Sequence, residues 1–259
     1  MKVKKALFVC WRDPVETTWL PVGVLICRRK KFMFGYTKGA NEAKHFRGFG
    51  RMNDFKAIYT SDQLFPLFEN RLLNQSRPEF RRFMEWLDLD PKDADPFNIF
   101  AKTSGLRFTD SLELVPVPMK GRDSKFKMEH FCRGIRFLSE CSKQKVNTLK
   151  PGDKLYLMRD FQNNAHDQAI ALRTDNPATM IGYAPRYVAE EICRLSEKKK
   201  LNNVEAFVVR VNVRAPSEFR LLCRIAFDWP KQFRPFASNE FVPINTSMRR
   251  VLKEIRAAS

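Results

Sequence analysis

Along the first forty residues the apolar positions fall in short runs with strand-like spacing. Lys5 to Trp11, Leu20 to Cys27 and Lys31 to Tyr36 are parted by polar breaks, and Ala6 to Trp11 reads as the first strand. The pattern predicts a small antiparallel sheet. The period then lengthens. Ser61 to Leu73 reads as helical, and Arg77 to Leu87 sets Phe80, Phe83, Met84 and Leu87 on one helical face, with Pro78 suited to a first helical position. Asp95-Pro96 opens a further helix that Gly105 closes, and Leu112 to Pro118 returns to strand spacing.

Residues 119–130 are polar and basic and read as a linker. Beyond them come short strand candidates: Phe131 to Leu138, Lys154 to Arg159, Gln168 to Arg173, Thr179 to Ala184, Val204 to Val213 and Phe219 to Phe227. A turn signal, Lys150-Pro-Gly-Asp153, precedes the second, and Pro185 opens a helix over Arg186 to Leu195. Many short strands with one or two helices predict a small, partly open barrel. Ser247 to Arg256 has the spacing of a short amphipathic helix. The expected fold class is therefore α+β: a domain at 1–118 with a small antiparallel sheet and helices, an OB-like barrel at 131–230, and a tail at 231–259.

Charge changes the picture. The chain carries 47 Lys+Arg against 29 Asp+Glu, a net of +18, with +8 in residues 1–50, −1 in 51–120 and +11 in 121–259. An excess of this size favours a polyanionic partner, nucleic acid first. No apolar run is long enough for a membrane span, and no basic amphipathic helix with a clean apolar face stands out, so a membrane partner is not expected. The basic, apolar start is cut short by Trp11-Arg-Asp-Pro14, unlike a signal peptide. Six scattered cysteines, at 10, 27, 132, 141, 193 and 223, form no CxxC pair. They read as buried small hydrophobes in a reducing, cytoplasmic setting, with no zinc site.

Three motifs occur in order in the second half. They are Leu149-x-Pro-Gly-Asp-x-Leu-x-Leu-x-Arg-Asp160, Asn164-x-x-Asp-x-Ala-Ile-Ala-Leu172 and Ile181-Gly-Tyr-x-Pro-Arg-x-x-Ala189. Together they resemble the HIRAN domain over residues 131–227. The resemblance implies an oligonucleotide-binding type of barrel, and the best-known member captures a single-stranded 3′ DNA end. By the same resemblance Arg136 and Phe137 supply a basic and aromatic pair on the first strand. Asn164 and Asp167 lie in the loop that reads the terminal sugar hydroxyl, and Tyr183 and Arg186 lie where phosphate and base are contacted. Arg159 joins this DNA-binding set. One residue, Gln168, separates Asp167 from Ala169 where the family has two, so the loop 161–167 is expected to be remodelled.

The first half also carries a resemblance. Trp19-Leu-Pro-Val-Gly-Val-Leu25, Phe32-x-Phe-x-Tyr36 and Leu64 to Leu73 look like the N-terminal subdomain of HipA-type kinases, over residues 5–118. No phosphate-cradling Gly loop with catalytic Asp and Asn follows. The resemblance implies a regulator or antitoxin that docks a HipA-like Ser/Thr kinase. The alternatives are a DNA-repair or phage-defence adaptor without a kinase partner, or an enzyme that processes DNA ends. Catalysis is not expected. His166 beside Asp167, with Asn164 near, is too few groups for metal or acid–base chemistry, and the carboxylates are dispersed. No cofactor and no metal are expected.

Overall fold

Strand β1 (Lys5–Arg12) is apolar on both of its faces. A strand of that kind needs a packing layer on each side. The computed structural model describes residues 5–107, 111–118, 123, 125–196, 204–229 and 233–257. It divides into two units, residues 1–80 with 94–119 and 234–259, and residues 81–93 with 120–233.

In the first unit β1 lies in an antiparallel sheet with β2 (Trp19–Arg28), β3 (Lys31–Tyr36), β4 (Ile58–Ser61) and β5 (Leu112–Pro116), in the order β4-β3-β2-β1-β5. Helices α1 (Gly39–Glu42), α2 (Pro66–Glu69), α3 (Phe80–Trp86) and α4 (Pro96–Thr103) come from the first hundred or so residues. Leu7, Val9, Phe34, Tyr36, Phe68, Phe97 and Phe100 form the core on one side of this sheet. The helix expected over Ser61 to Leu73 shrinks to the single turn of α2. Phe65 precedes Pro66 and stays extended, because a residue before proline is pushed out of the helical region. Asp95 caps α4 by accepting from the backbone of Phe97 and Asn98.

The other face of β1 is covered by the C-terminal segment. Phe8 packs edge-on against Phe236 and Phe241 at 5.8 and 4.8 Å between ring centroids. A last helix over Thr246–Ala257 buries Met248, Leu252 and Ile255. Residues 234–257 thus belong to the first unit, where the linear division placed a separate tail. The physical reason was already in β1: two apolar faces demand two layers.

The second unit is built on a six-stranded antiparallel sheet. Its strands are β6 (Lys125–Phe131), β7 (Lys154–Arg159), β8 (Ile170–Arg173), β9 (Met180–Tyr183), β10 (Glu205–Val211) and β11 (Leu221–Asp228), in the order β6-β11-β10-β7-β8-β9. Helices α5 (Glu140–Thr148) and α6 (Arg186–Ser196) belong to this unit, while the last helix, α7 (Thr246–Ala257), belongs to the first. The sheet curls until its edges meet. Arg133, just past β6, exchanges two backbone hydrogen bonds with Tyr183 of β9, at 2.8 and 2.9 Å. Gly182 makes that closure possible. Its φ is +133°, and a Cβ there would stand 2.5 Å from Cys132 Sγ and 2.6 Å from the Arg133 carbonyl oxygen.

The part of the expected linker from residue 125 onward is strand. Phe126, Met128 and His130 point inward while Lys127 is exposed, so the alternation was masked by the charged residues of the outer face. Residues 119–122 and 124 lie outside the described residues. Residues 81–93 join this unit through Phe83 and Trp86, whose rings meet Phe219 at 5.6 and 6.1 Å, and through the Asn212 amide, which donates to the Trp86 carbonyl at 3.0 Å. Helix α5, with Ser139 as its cap, was not foreseen. The cysteines are mostly buried as expected, but Cys141 is exposed. Burial pushes the His130 imidazole down to about 4, so the ring is neutral at pH 7.

Candidate functional site

The closure between Arg133 and Tyr183 sets the geometry of the site. Gly134 follows with φ +75°, a left-handed conformation that ends the extended chain, and its missing side chain leaves room for the Tyr183 ring. A Cβ on Gly134 would lie 3.0 Å from Tyr183 Cδ2. The chain then makes a single 3-10 turn over Ile135–Phe137. Arg136 and Phe137 therefore stand on this turn and not on the first strand, as the sequence had implied. Ile135 points inward and Phe137 is 78% exposed, with the Arg136 guanidinium 4.5 Å from its ring centroid.

Tyr183 is half-buried, and its hydroxyl donates to Asp160 Oδ2 at 2.8 Å. That bond holds the Asp160 carboxyl below the usual carboxylate range, while burial, reinforced by Asp160, pushes the Tyr183 hydroxyl up. Asp160 begins the loop between β7 and β8. It accepts from the Gln162 backbone at 3.1 Å and from the Asn163 amide at 3.4 Å. Next to it Phe161 is 79% exposed, and the Arg159 guanidinium lies 5.1 Å from that ring. The site thus presents two solvent-facing aromatic rings, each with a guanidinium over it.

The same loop is tied to α6. Asn163 Oδ1 accepts from the backbone of Ala165 and His166, at 3.0 and 3.1 Å. Arg186, the first residue of α6, donates to the Ala165 carbonyl at 3.2 Å, and His166 Nε2 lies 3.3 Å from Glu190 Oε1. Asn164 and Asp167 are exposed on this loop. Of the seven residues singled out from sequence, Arg136, Phe137 and Tyr183 cluster at the closure. Arg159, Asn164, Asp167 and Arg186 lie on, beside or bonded to the loop that Tyr183 grips through Asp160. On β7 the Tyr156 ring has Lys154 Nζ at 5.3 Å and the Arg173 guanidinium at 5.1 Å.

Sequence reasoning missed Phe161 and Asp160. The signal for Phe161 was an aromatic in an otherwise polar loop, Asp160-Phe-Gln-Asn-Asn164. Asp160 was quoted as the end of a motif, but its tie to Tyr183 needed the strand pairing to become visible. Tyr183→Phe removes the donor, so the Asp160 carboxyl is expected to titrate at higher pH than in the wild type. A depressed carboxyl contributes stability above its unfolded value that is lost as pH falls through its folded value, and the variant loses that contribution. Carboxyl-detected NMR titration checks this; an unmoved Asp160 midpoint would refute the coupling.

The HIRAN domain family model matches residues 126–229. Among solved structures, the crystal structure of the HIRAN domain of human HLTF is similar, at 14% identity over 47% of this chain and 93% of that one, with a TM-score of 0.33. A protein from Lactobacillus plantarum is similar at 18% identity, over 40% of this chain and 98% of that one, with a TM-score of 0.31. No curated protein matches. Among the described residues no helix is long and apolar enough to cross a membrane, and no group of three His, Cys, Asp or Glu side chains is placed to hold a metal ion.

Proposed function

We propose that the second unit binds single-stranded DNA at its 3′ end, as a non-catalytic recognition module in a cytoplasmic protein. The observation that carries this reading is the pair of exposed rings, Phe137 and Phe161, each under a guanidinium and both anchored to Tyr183 through short connections. Exposed aromatics are what single strands stack on, at about 1–3 kcal/mol per base. Guanidinium groups can turn from the ring face, freeing it for a base, to take phosphate oxygens through two parallel bonds. The match of residues 126–229 to the HIRAN domain supports DNA as the polyanion. A terminal sugar adds a hydroxyl donor, and the Asp167 carboxylate, exposed on the loop beside this surface, is an acceptor for it.

Fluorescence anisotropy with oligonucleotides of one sequence tests the reading. A free 3′ end is expected to bind more tightly than a 5′-labelled strand whose 3′ end is blocked by phosphate, and more tightly than the circularised strand. Equal affinity for the open and circular forms would remove end recognition; no binding to any of them would remove DNA. For the first unit, docking of a HipA-like kinase rests on the sequence resemblance alone, without support from the comparisons. Co-expression with a truncated HipA-like kinase that leaves its toxicity unrelieved would turn the reading toward an adaptor with a different partner.

A further inference from the structure

The β2–β3 hairpin of the first unit turns on four consecutive cations, Arg28-Arg29-Lys30-Lys31. Arg28 pairs with Lys31 across the strands, which leaves Arg29 and Lys30 as a two-residue loop. Both have positive φ, +54° and +68°. Two-residue turns with positive φ at both positions favour Asn-Gly or Asp-Gly, because a Cβ is strained there. The chain instead places an arginine and a lysine at these two positions. Strained residues of this kind persist where a function holds them.

The charge at the tip is uncompensated. Arg28 pairs with Glu254 at 3.1 Å and Lys31 with Asp62 at 3.7 Å, whereas Arg29 and Lys30 are exposed with no ion-pair partner among the described residues. The Arg28–Glu254 pair also brings the solvent face of α7 alongside the tip. Arg250 and Lys253 are exposed on that face, opposite the buried Met248, Leu252 and Ile255. Four exposed cations, Arg29, Lys30, Arg250 and Lys253, none of them in an ion pair among the described residues, thus share one surface of the first unit.

We propose that this surface binds the phosphate backbone of duplex DNA, independently of sequence and of strand ends. Among the described residues it has no exposed aromatic to stack an unpaired base, so it lacks what single-strand binding uses. It has the cations that a duplex, with one charge per about 1.7 Å of axis, attracts by counterion release. A membrane is disfavoured because the apolar face of α7 is already buried in the fold and nothing remains to insert. The surface is separate from the end-binding site proposed above and stands whether or not that reading holds.

The test uses the full chain and a covalently closed duplex circle, which has no ends. The key variant is R29N/K30G, which gives the turn the residues it favours. It is expected to raise the thermal midpoint of the first unit while weakening binding to the circle. Two lost phosphate contacts lower the slope of log affinity against log salt by about 1.8, so the wild type should lose roughly tenfold more affinity than the variant between 50 and 200 mM salt. R250A/K253A, which keeps helix-forming residues, is expected to lower the slope similarly. Phe161→Ala leaves binding to the circle unchanged and lowers only binding to single-stranded ends. A circle bound equally well by the wild type and R29N/K30G overturns the proposal, as does a circle bound only through Phe161. Phosphatidylserine vesicles captured through Arg29 and Lys30 while the circle is ignored would overturn it in favour of a membrane.

Discussion

Replacing Phe137 and Phe161 by Ala together is expected to lower affinity for single-stranded DNA by at least about 30-fold where each ring stacks its own base, since each stacked base is worth roughly 1–3 kcal/mol and tenfold corresponds to about 1.4 kcal/mol. The effect should be confined to binding. Both rings are exposed, at 78% and 79%, so their removal takes little apolar area out of the core. Exposed substitutions of this sort shift folding by about 0.5 kcal/mol or less. A thermal midpoint near the wild-type value with collapsed affinity is the expected pair of results. The two single variants add a finer reading. If the rings hold two successive bases their losses add, and if they sandwich one base the second loss is much smaller than the first. Wild-type affinity in the double variant would mean that the exposed rings are not a base platform, and the end-binding reading would fall with them.

What sequence disclosed and what it hid follow from how local each determinant is. Strand β7 occupies the expected residues, Lys154–Arg159, because its turn signal and alternation are contiguous in the chain. The α4 cap at Asp95 was legible for the same reason. The Arg136–Phe137 turn was read as strand because its cause is Gly134, whose φ depends on the meeting of β6 and β9, some fifty residues apart. The C-terminal helix was legible as a helix, but its place was not. Amphipathic spacing says that Met248, Leu252 and Ile255 need a surface; it does not say that the surface is the second face of β1. The site was partly visible for a related reason. Tyr183 and Arg186 came from an ordered series of motifs, and Arg136 and Phe137 from the resemblance that series carries, while the bond from Tyr183 to Asp160 and the exposure of Phe161 depend on the pairing of β8 with β9 and on a loop of altered length.

Gly182→Ala should destabilise the second unit by about 2–6 kcal/mol, combining roughly 1–3 for a conformation that side chains rarely adopt with roughly 1–3 for overpacking. The new Cβ would meet Cys132 Sγ at 2.5 Å and the Arg133 carbonyl oxygen at 2.6 Å. The second of these is backbone and cannot rotate away, so β9 and the chain after β6 must separate. That separation breaks the two bonds between Arg133 and Tyr183, and it withdraws Tyr183 from both the Gly134 turn and Asp160. Single-strand binding should therefore fall even at temperatures where the variant remains folded. Gly152→Ala separates the two causes. Its φ of +92° is equally awkward for a side chain, but nothing lies within 4 Å of a Cβ there. It should cost only the conformational share and leave binding intact. Urea denaturation of both variants, with anisotropy on the folded fraction, decides the matter. A Gly182→Ala midpoint no lower than that of Gly152→Ala would mean that the closure yields without cost. Full affinity in a destabilised Gly182→Ala protein would mean that the closure holds the barrel together but does not position the rings and cations beside it.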